Sequence, residues 1–396
     1  MGKKSPRKGS SISTNSISTN SISTNSISTN IEKVAQSLFE QGAERSSFLE
    51  AIAQGERAVT AVVRLRGEIQ GGIQGEIAQV GNSATQRAAW LPDWISVAAP
   101  EERPGRSEQH QNGEIYCLDL SSTFACATLS QLAQPTGILL DVCAAPGGKG
   151  IVGARYLSPQ IVIGNEVIRK RTLQLISNYK RCRMDPALVT SCDPESLAQR
   201  IPHRADVVIV DAPCSGQSLL LKGLAAPGAF HHATISMNEG RQRRILANSA
   251  KTVAPGGALL YSTCTFSREE NENNIEWFLK TFPEFHAVTV DLLAPYLSRY
   301  SSQACYRLFP HEGHGAGAFC ALLQREGSRS TLEICIDEIT DTLRPTWRSP
   351  TVFALRPAPI KRQEAEHSRK AQRGKWKGRD DKGSRRFKRF TADDQE

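Results

Sequence analysis

Short apolar runs alternate with amphipathic stretches between about residue 115 and residue 325. Five of the runs are rich in β-forming residues: GILLDV (137–142), QIVIGN (160–165), ALVTS (187–191), ADVVIVD (205–211) and GGALLYS (256–262). Helical stretches such as EVIRKRTLQLISNYKR (166–181) separate them, and this alternation predicts an α/β fold with a doubly wound, mostly parallel sheet. Two later runs, HAVTVD (286–291) and GAFCALLQ (317–324), bring the predicted sheet to seven strands, of which the last can run antiparallel.

The residues that precede this α/β region have a different pattern. Four tandem copies of SISTN follow a basic start, and a polar repeat has nothing to bury, so residues 1–30 are predicted to be a disordered arm. Residues 31–54 have the spacing of amphipathic helices, and TAVVRLR (60–66) is typical of a strand. We therefore predict a small accessory domain over residues 31–114, with the glycine-rich segment 67–79 as a loop.

Charge is concentrated at the two ends of the chain. Residues 1–10 carry four Lys or Arg, and residues 361–396 carry 13 Lys or Arg against 7 Asp or Glu, which leaves residues 11–360 close to neutral. In the predicted disordered tail 361–396, the stretch 375–390 interleaves aromatic residues with arginines, as flexible RNA-binding segments do. A solvated tail that aids solubility is the alternative. Residues 326–360 are predicted to be a C-terminal extension of the α/β domain, which spans 115–325.

Several classes of protein are disfavoured by the composition. The sequence has no apolar run of membrane-spanning length and no signal-like segment, so we expect neither membrane insertion nor secretion. Its ten cysteines form no CxxC pair and show no regular spacing, which favours neither a disulfide scaffold nor a metal site. A reducing cytoplasm is the expected compartment.

Two cysteines lie in short motifs at the ends of predicted strands. Cys214 stands in DAPCSG (211–216), directly after ADVVIVD, and Cys264 stands in YSTCT (261–265), directly after GGALLYS. The carboxyl ends of parallel strands meet at one edge of an open sheet, where α/β enzymes have their active sites. We therefore expect both thiols to emerge at that edge.

A glycine-rich turn follows the first predicted strand and permits two interpretations. Ala144-Ala145-Pro146-Gly147-Gly148-Lys149 allows a ligand to approach the backbone closely at a helix start. Residues 148–153 also match G-x-G-x-x-G, with Glu166 eighteen residues after Gly148, so a dinucleotide site stays open.

Two carboxylates end the next strands, and each has a structural alternative. Glu166 is placed to accept hydrogen bonds from the ribose hydroxyls of a dinucleotide or of S-adenosylmethionine, or it is an ordinary first-turn carboxylate. Asp193 is placed to face the adenine end of the same ligand, or it caps a helix that begins at Pro194.

The three motifs DVCAAPGGKG (141–150), DAPCSG and YSTCT, in this order, resemble the Sun/Nop-type (NSUN) RNA cytosine-5 methyltransferases. The resemblance runs from about Tyr116 to Gln324 and implies a class I, Rossmann-like methyltransferase fold with S-adenosyl-L-methionine as cofactor. It implies 5-methylcytosine formation in ribosomal or transfer RNA. The cofactor-binding residues that it implies are Cys143, Ala144, Ala145, Pro146, Gly147, Gly148, Lys149, Glu166, Asp193 and Asp211.

The resemblance also assigns catalytic roles. It implies that Cys264 adds to carbon 6 of the cytosine, that Cys214 assists loss of the carbon 5 proton, and that Asp211 contacts the base, with Lys149 orienting that aspartate or the substrate. Chemistry alone leaves the attacking thiol open, because a Pro-Cys cysteine is the nucleophile in DNA cytosine-5 methyltransferases. Ser267 and Glu270 have capping-box spacing, which predicts a helix start that would favour the Cys264 thiolate.

Departures from the family pattern bear on the substrate more than on the chemistry. Gly150 replaces a usual Thr or Ser, Ala316 replaces an acidic residue, and the segment 217–230 differs from the common version. His231 and His232 follow that segment and face either RNA or the protein interior.

Two rival functions stay open. One is an NAD-dependent oxidoreductase on the same fold, and the other is a non-catalytic RNA-binding assembly factor. The expected partner is RNA, with no membrane and no metal, and the oligomeric state stays open, with a monomer as the expectation.

Overall fold

The computed structural model describes residues 22–55, 58–66, 88–132, 136–328 and 334–354. The predicted loop 67–79 and the predicted basic tail 361–396 lie outside these residues, as does the arm up to residue 21. A helix begins at Ile22, inside the segment that we expected to be disordered through residue 30. The expectation is therefore wrong for residues 22–30, where the SISTN repeats continue directly into the amphipathic segment.

The first part of the chain forms two helices and a small antiparallel sheet. Its elements are α1 (Ile22–Leu38), α2 (Ala43–Gln54), β1 (Thr60–Arg64), β2 (Ile95–Val97), α3 (Glu108–Gln111) and β3 (Ile115–Asp119). The sheet order is β2-β1-β3, and all five residues of β1 pair with β3. The predicted boundary between residues 114 and 115 thus separates two strands of one sheet, because β3 belongs with β1. The described residues up to Phe353 pack as one compact unit.

The remaining elements alternate between helices and strands as the sequence predicts. They are α4 (Leu120–Ala127), β4 (Ile138–Asp141), α5 (Gly148–Leu157), β5 (Ile161–Asn165), α6 (Arg169–Arg181), β6 (Ala187–Thr190), α7 (Pro194–Arg200), β7 (Ala205–Asp211), α8 (His232–Ala250), β8 (Val253–Thr263), α9 (Glu272–Thr281), β9 (Phe285–Ala287), β10 (Tyr306–Leu308), β11 (Ala318–Arg325), α10 (Ile336–Leu343), β12 (Trp347–Arg348) and α11 (Pro350–Ala354). Short 3-10 turns lie at Pro104–Arg106, Thr128–Gln131, Gln217–Lys222, Asp291–Tyr296 and Pro310–Glu312.

The large sheet has the order β10-β11-β8-β7-β4-β5-β6-β12, with β9 beside β11. The five strands from β4 to β8 are parallel to one another, as predicted, and β11 is antiparallel to β8. The predicted count of seven is wrong, because nine strands pair in the described residues. HAVTVD contributes only the three-residue β9, and β10 and β12 have three and two residues, too few to show a periodic pattern.

The strand order reverses at β4. From β4 the chain proceeds outward through β5 and β6, then returns to β7 on the other side of β4 and continues to β8. The connections that follow the carboxyl ends of β4 and β7 therefore lie on opposite faces of the sheet. Such a switch point opens a crevice at the carboxyl edge, where open α/β sheets bind their ligands.

Helices cover both faces of the sheet, and this explains the unbroken apolar runs of its strands. In β4, Leu139 belongs to one buried cluster, whereas Ile138 and Leu140 belong to the cluster on the opposite face. Parallel strands that are buried on both faces need apolar side chains at successive positions. In the five parallel strands the polar side chains therefore lie near the strand ends.

A third buried cluster joins the first two helices to the α/β domain. Phe48 of α2 is fully buried, and its ring meets that of Phe266 edge-on at 5.2 Å and that of Phe309 at 6.0 Å. Phe266 follows Cys264 by two residues, and its carbonyl accepts a hydrogen bond from Arg307, which forms a buried ion pair with Glu272. Helix α2 therefore supports the segment that carries one of the two motif cysteines.

Replacing Phe48 by alanine is expected to lower the free energy of unfolding by about 3–5 kcal/mol, because it leaves a cavity between α2 and the Cys264 segment. Phe353 is a matched control, since its side chain is 72% exposed and its replacement by alanine is expected to cost less than about 0.5 kcal/mol. Urea denaturation followed by circular dichroism measures both. Equal losses in the two variants would contradict the role of the cluster.

Candidate active site

The two motif cysteines lie side by side at the carboxyl edge of the sheet. Strands β7 and β8 are parallel neighbours, with Asp211 at the end of β7 opposite Ser262 near the end of β8. The chain therefore leaves both strands at the same level, and the Sγ atoms of Cys214 and Cys264 are 3.2 Å apart. This placement confirms that both thiols emerge at the carboxyl edge. All ten cysteines of the chain are free.

The two thiols have opposite acidities. The hydrogen bond from Cys214 lowers the pKa of the Cys264 thiol, and although burial and Asp211 oppose this, Lys222 and Lys149 reinforce it. The same hydrogen bond, followed by burial, raises the pKa of Cys214 well above its usual value. The pair is thus polarised, with Cys264 as the more acidic thiol and Cys214 as the favoured S–H donor. A thiolate is the nucleophilic form of cysteine.

Asp211 and Lys149 form an ion pair beside the thiols. The Nζ atom of Lys149, on the second residue of α5, lies 2.8 Å from Oδ2 of Asp211, while the Ser262 hydroxyl donates to Oδ1 at 3.1 Å. Burial lowers the pKa of Lys149, but the Asp211 carboxylate more than offsets this, so the pKa lies above the usual lysine value. Lys149 is therefore a charged group that holds Asp211 in place.

Asp141 at the end of β4 is a buried acid that our sequence reasoning did not single out. Burial, together with the charge of Asp211, raises its pKa to about 7, although Lys149 and the backbone of Gly150 and Cys143 act in the opposite direction. A Cβ atom at Gly150 would lie 2.8 Å from Oη of Tyr179 and 3.0 Å from Oδ2 of Asp141. This crowding explains why Gly150 stands where the family pattern usually has Ser or Thr.

The turn from 143 to 147 connects β4 to α5 and lines the crevice at the switch point. The Ala144 N–H donates to the carbonyl of Asn165 at 2.8 Å, and the Asn178 side chain donates to the carbonyl of Pro146 at 2.8 Å. Gly147 has a φ of +115°, and an added Cβ would meet Leu175 at 3.1 Å. This turn is therefore held close to α6 with its backbone lining the crevice. Gly150 and Gly153 lie inside α5, so they do not form the loop of a dinucleotide fingerprint.

Glu166 lies just after β5, next to an exposed apolar surface. One carboxylate oxygen accepts from the Ile168 N–H at 2.8 Å, and the other lies 3.2 Å from Nη1 of Arg171. The neighbouring side chains of Val167 and Ile168 are more than half exposed. A fixed carboxylate beside apolar side chains suits a nucleoside, since the carboxylate accepts from ribose hydroxyls and the apolar surface takes the base.

Asp193 and Cys143 behave differently from each other. The Oδ1 atom of Asp193 accepts from the N–H groups of Glu195 and Ser196, each at 3.1 Å, so the helix-cap interpretation of Asp193 is confirmed. Cys143 is partly buried, and after burial it is the carboxylates of Asp141, Asp211 and Glu166 that raise the pKa of its thiol. Cys143 therefore lies between the Glu166 end of the crevice and the Asp211 end.

The interpretation of Ser267 and Glu270 as a capping box is wrong. The Glu270 N–H does donate to Oγ of Ser267 at 3.3 Å, but α9 begins only at Glu272. The Glu270 carboxylate contacts the turn after Cys214, where the N–H of Ser215 donates to it at 2.8 Å. The acidity of Cys264 thus comes first from the neighbouring thiol rather than from a helix start.

Lys222 is a second residue that the sequence patterns did not indicate. It ends the 3-10 turn Gln217–Lys222, and its Nζ atom lies 3.4 Å from Oδ1 of Asp119. It lies in the segment that differs from the family pattern, so no motif marked it. His231, at the end of that segment, caps α8 by accepting from the Ala233 N–H at 3.2 Å, which is a structural role.

The described parts of the chain contain neither a metal-binding cluster nor a membrane-spanning helix. No group of three or more His, Cys, Asp or Glu side chains there is arranged to hold a metal ion. None of the described helices combines the length and the apolarity that crossing a membrane requires.

Comparison with known proteins finds a family match over the same region. Residues 129–324 match the family described as 16S rRNA methyltransferase RsmB/F. The ribosomal RNA small subunit methyltransferase F of Pectobacterium atrosepticum is 30% identical over 247 residues, which are 61% of this chain and 50% of that protein. The protein of the same name from Citrobacter koseri is 32% identical over 196 residues, which are 48% of this chain and 40% of that protein. The chain spans about half the length of the curated relatives it matches.

Two solved structures from Pyrococcus horikoshii share the fold. A methyltransferase homolog protein superposes with a TM-score of 0.58 at 21% identity, covering 75% of this chain and 99% of that one. NSun6 with SFG superposes with a TM-score of 0.50 at 23% identity, covering 59% of this chain and 60% of that one. This likeness confirms the predicted fold class.

The polarised thiol pair predicts a specific pattern of alkylation. Because the pKa of Cys264 is lowered, its reaction with iodoacetamide is expected to reach its midpoint at a lower pH than that of an ordinary thiol. Cys214→Ala removes the S–H donor, so the pH midpoint for Cys264 is expected to rise by at least about one unit, a roughly tenfold slower reaction at neutral pH. Mass spectrometry of the modified peptides measures both thiols. An unchanged midpoint would show that Cys214 does not set the acidity of Cys264.

Proposed function

We propose that the chain belongs, through residues 129–324, to the Sun/Nop family of S-adenosylmethionine-dependent RNA methyltransferases and that it forms 5-methylcytosine in ribosomal RNA. The observation that carries this proposal is the pair of thiols 3.2 Å apart next to Asp211. A reaction that used cysteine only as a nucleophile would not need the second thiol. Two thiols of opposite acidity suit a reaction that adds a thiolate to a ring and later removes a proton from the same ring.

In the proposed reaction Cys264 attacks first. Carbon 5 of cytosine is a weak nucleophile, so the Cys264 thiolate forms a bond to carbon 6 and pushes the electrons of the 5,6 double bond to carbon 5. Carbon 5 then forms its bond to the transferred methyl group. This sequence divides one difficult substitution into an addition and an elimination.

Cys214 acts in the elimination. While Cys264 is a thiolate, the hydrogen bond and charge between the thiols, together with burial, raise the pKa of Cys214. Once Cys264 is bound to carbon 6 as a thioether, its negative charge is gone and that cause of the raised pKa disappears. Cys214 then gives its proton to solvent more easily and, as a thiolate, takes the proton from carbon 5. The bond between carbon 6 and Cys264 breaks with its electron pair going to the Cys264 sulfur, and the double bond reforms, which leaves Cys214 protonated and Cys264 as a thiolate.

Asp211 and Lys149 position the base. Asp211 is held by Lys149 and Ser262, and its side chain is still 36% exposed, so it is open to the ring that Cys264 attacks. A carboxylate fixed beside the ring accepts a hydrogen bond from the amino group of cytosine and so orients carbon 6 towards Cys264. Lys149 contributes by orientation of Asp211 rather than by contact with a thiol.

S-adenosylmethionine supplies an electrophilic methyl group when it is bound. The crevice fits such a ligand, because the 143–147 backbone turn, the Glu166 carboxylate and the exposed side chains of Val167 and Ile168 lie along the switch point. Asp193 contributes only if its Oδ2 atom faces the ligand, since Oδ1 caps α7. No described feature favours a nicotinamide ligand over this one.

The RNA must present an unpaired or extruded cytosine, because the thiols lie in a crevice that a stacked base does not reach. The basic tail 361–396 is proposed to add affinity through phosphate contacts, which weaken with salt. It lies outside the described residues and stays a prediction of the sequence.

Replacing Cys264 by alanine is expected to abolish methyl transfer, because no other group can activate carbon 5 in this scheme. Tritium transfer from labelled S-adenosylmethionine into ribosomal RNA measures the loss, expected to be roughly 10³-fold or more. Cys335→Ala is the matched control, since Cys335 is exposed and lies directly before α10, outside both cysteine motifs. Undiminished transfer by the Cys264 variant would exclude the proposed mechanism.

Replacing Cys214 by alanine is expected to leave the addition intact and to slow the release of RNA. A covalent protein–RNA adduct should therefore accumulate and run as a retarded band on a denaturing gel. The double variant that also lacks Cys264 should show no such band. A band that appears in the Cys264 variant alone would reverse the assignment of the two thiols, and a band that persists in the double variant would show that neither thiol forms the adduct.

A further inference from the structure

Glu270 is a fully buried carboxylate that belongs to neither cysteine motif. Its Oε2 atom accepts from the Ser215 N–H at 2.8 Å and from Nε2 of Gln242 at 2.8 Å. Its Oε1 atom accepts from the hydroxyls of Ser215 at 2.5 Å, Thr265 at 3.2 Å and Ser267 at 3.3 Å. Each of these donors is neutral, so the contacts that the described residues make to this carboxylate include no ion pair.

The donors come from both cysteine segments at equivalent positions. Ser215 directly follows Cys214, and Thr265 directly follows Cys264. The hydroxyls of Ser215 and Thr265 are also 2.7 Å apart. A single carboxylate thus joins the residue after one thiol to the residue after the other, while Gln242 ties it to α8 and to the carbonyl of Pro213 at 3.0 Å.

We propose that Glu270 is the positioning residue that holds the thiols of Cys214 and Cys264 at hydrogen-bonding distance by clamping together the two turns that carry them. Parallel pairing of β7 and β8 brings the turns to the same level, but it ends at Asp211 and Ser262. Beyond that point two backbone hydrogen bonds still join the turns, from Ala212 to the carbonyl of Ser262 at 3.0 Å and from Ser218 to the carbonyl of Cys264 at 3.1 Å. Glu270 adds side-chain contacts to both turns directly beside the thiols. The consequence for turnover rests on the proposed function, whereas the consequence for the thiols does not.

The environment of Glu270 compensates for the unfavourable burial of its carboxylate. Burial raises the pKa of Glu270, and the hydrogen bonds from Ser215, Gln242 and Thr265 act in the opposite direction. A buried carboxylate without a cation is unfavourable unless hydrogen bonds satisfy it. Here five donors converge on two oxygen atoms, and they connect two loops and a helix. Its negative charge also contributes to the raised pKa of Cys214, which keeps that thiol protonated as the donor.

The decisive comparison is between Glu270→Ala and Glu270→Gln. A glutamine can keep the clamp, because its carbonyl oxygen accepts from the Ser215 N–H and from Gln242 while its amide group donates to the hydroxyls, which are able to accept. Alanine removes every contact. Glu270→Ala is therefore expected to raise the pH midpoint for alkylation of Cys264 by at least about one unit, and Glu270→Gln should leave it within about a third of a unit.

Turnover should follow the thiols. In Glu270→Ala we expect kcat to fall roughly 10²-fold with the KM for S-adenosylmethionine unchanged, and in Glu270→Gln we expect at least a third of the wild-type kcat. If the glutamine variant loses as much as the alanine variant, the charge and not the clamp is responsible, and the proposal is overturned. It is equally overturned if both alkylation midpoints match that of the wild type.

Asp206→Ala separates positioning from a general loss of stability. Asp206 lies near the start of the same strand β7, where its carboxylate accepts from the Ile138 N–H at 2.6 Å, at the edge of the sheet opposite the thiols. This variant should lower stability in urea without moving the Cys264 midpoint. A shift of that midpoint in Asp206→Ala would mean that loosening the sheet alone is enough, and would refute a specific role for Glu270.

The test stays decisive if Glu270→Ala does not fold or if the protein does not methylate RNA. If Glu270→Ala does not fold, the double variant Ser215→Ala with Thr265→Val removes hydroxyl contacts from both loops and should raise the Cys264 midpoint, and an unchanged midpoint contradicts the clamp. Alkylation requires neither RNA nor methyl transfer. If wild-type protein fails to methylate RNA, the proposed function falls, and the alkylation profiles still decide whether Glu270 positions the thiols.

Discussion

The parallel pairing of β7 with β8 is the constraint on which the site depends. Because Asp211 lies opposite Ser262, two segments that are fifty residues apart in the chain leave the sheet at one level, and the sulfur atoms of Cys214 and Cys264 come to 3.2 Å. A slip of one residue in that register would turn the side chains of one strand to the other face of the sheet. The two apolar runs that fill both faces of the core therefore also determine where the chemistry takes place.

The neighbours of the two thiols convert this geometry into a difference in reactivity. Two cysteines of equal acidity at this distance would share one proton. Here Glu270 adds negative charge near Cys214, while Lys222 and Lys149 add positive charge near Cys264. The proton is therefore assigned to Cys214, and the charge to Cys264. These charges are consistent with the proposed reaction, in which Cys264 loses its negative charge on bonding to the base and Cys214 then becomes the thiolate.

Patterns that repeat along the chain allowed much of this to be predicted. The five parallel strands, the antiparallel β11 and the thiols at the strand ends follow from apolar runs and short motifs. The proximity of Lys149 to Asp211 was implied only by the family resemblance. What could not be predicted depends on contacts between distant segments. Glu270 looked like half of a capping box because local spacing cannot show that its carboxylate faces Ser215, fifty-five residues earlier. Strands of two or three residues, such as β10 and β12, carry no periodicity to detect.

The aromatic cluster around Phe48 has a consequence for the order in which the protein is assembled. Phe48 packs on Phe266 and Phe309, partners that lie more than two hundred residues further along the chain. During synthesis α1 and α2 emerge from the ribosome long before the surface that they cover exists. Contacts between such distant segments form late, since closing a long loop costs entropy before any contact repays it. The nascent chain therefore carries an unfinished catalytic centre until its last third has been translated.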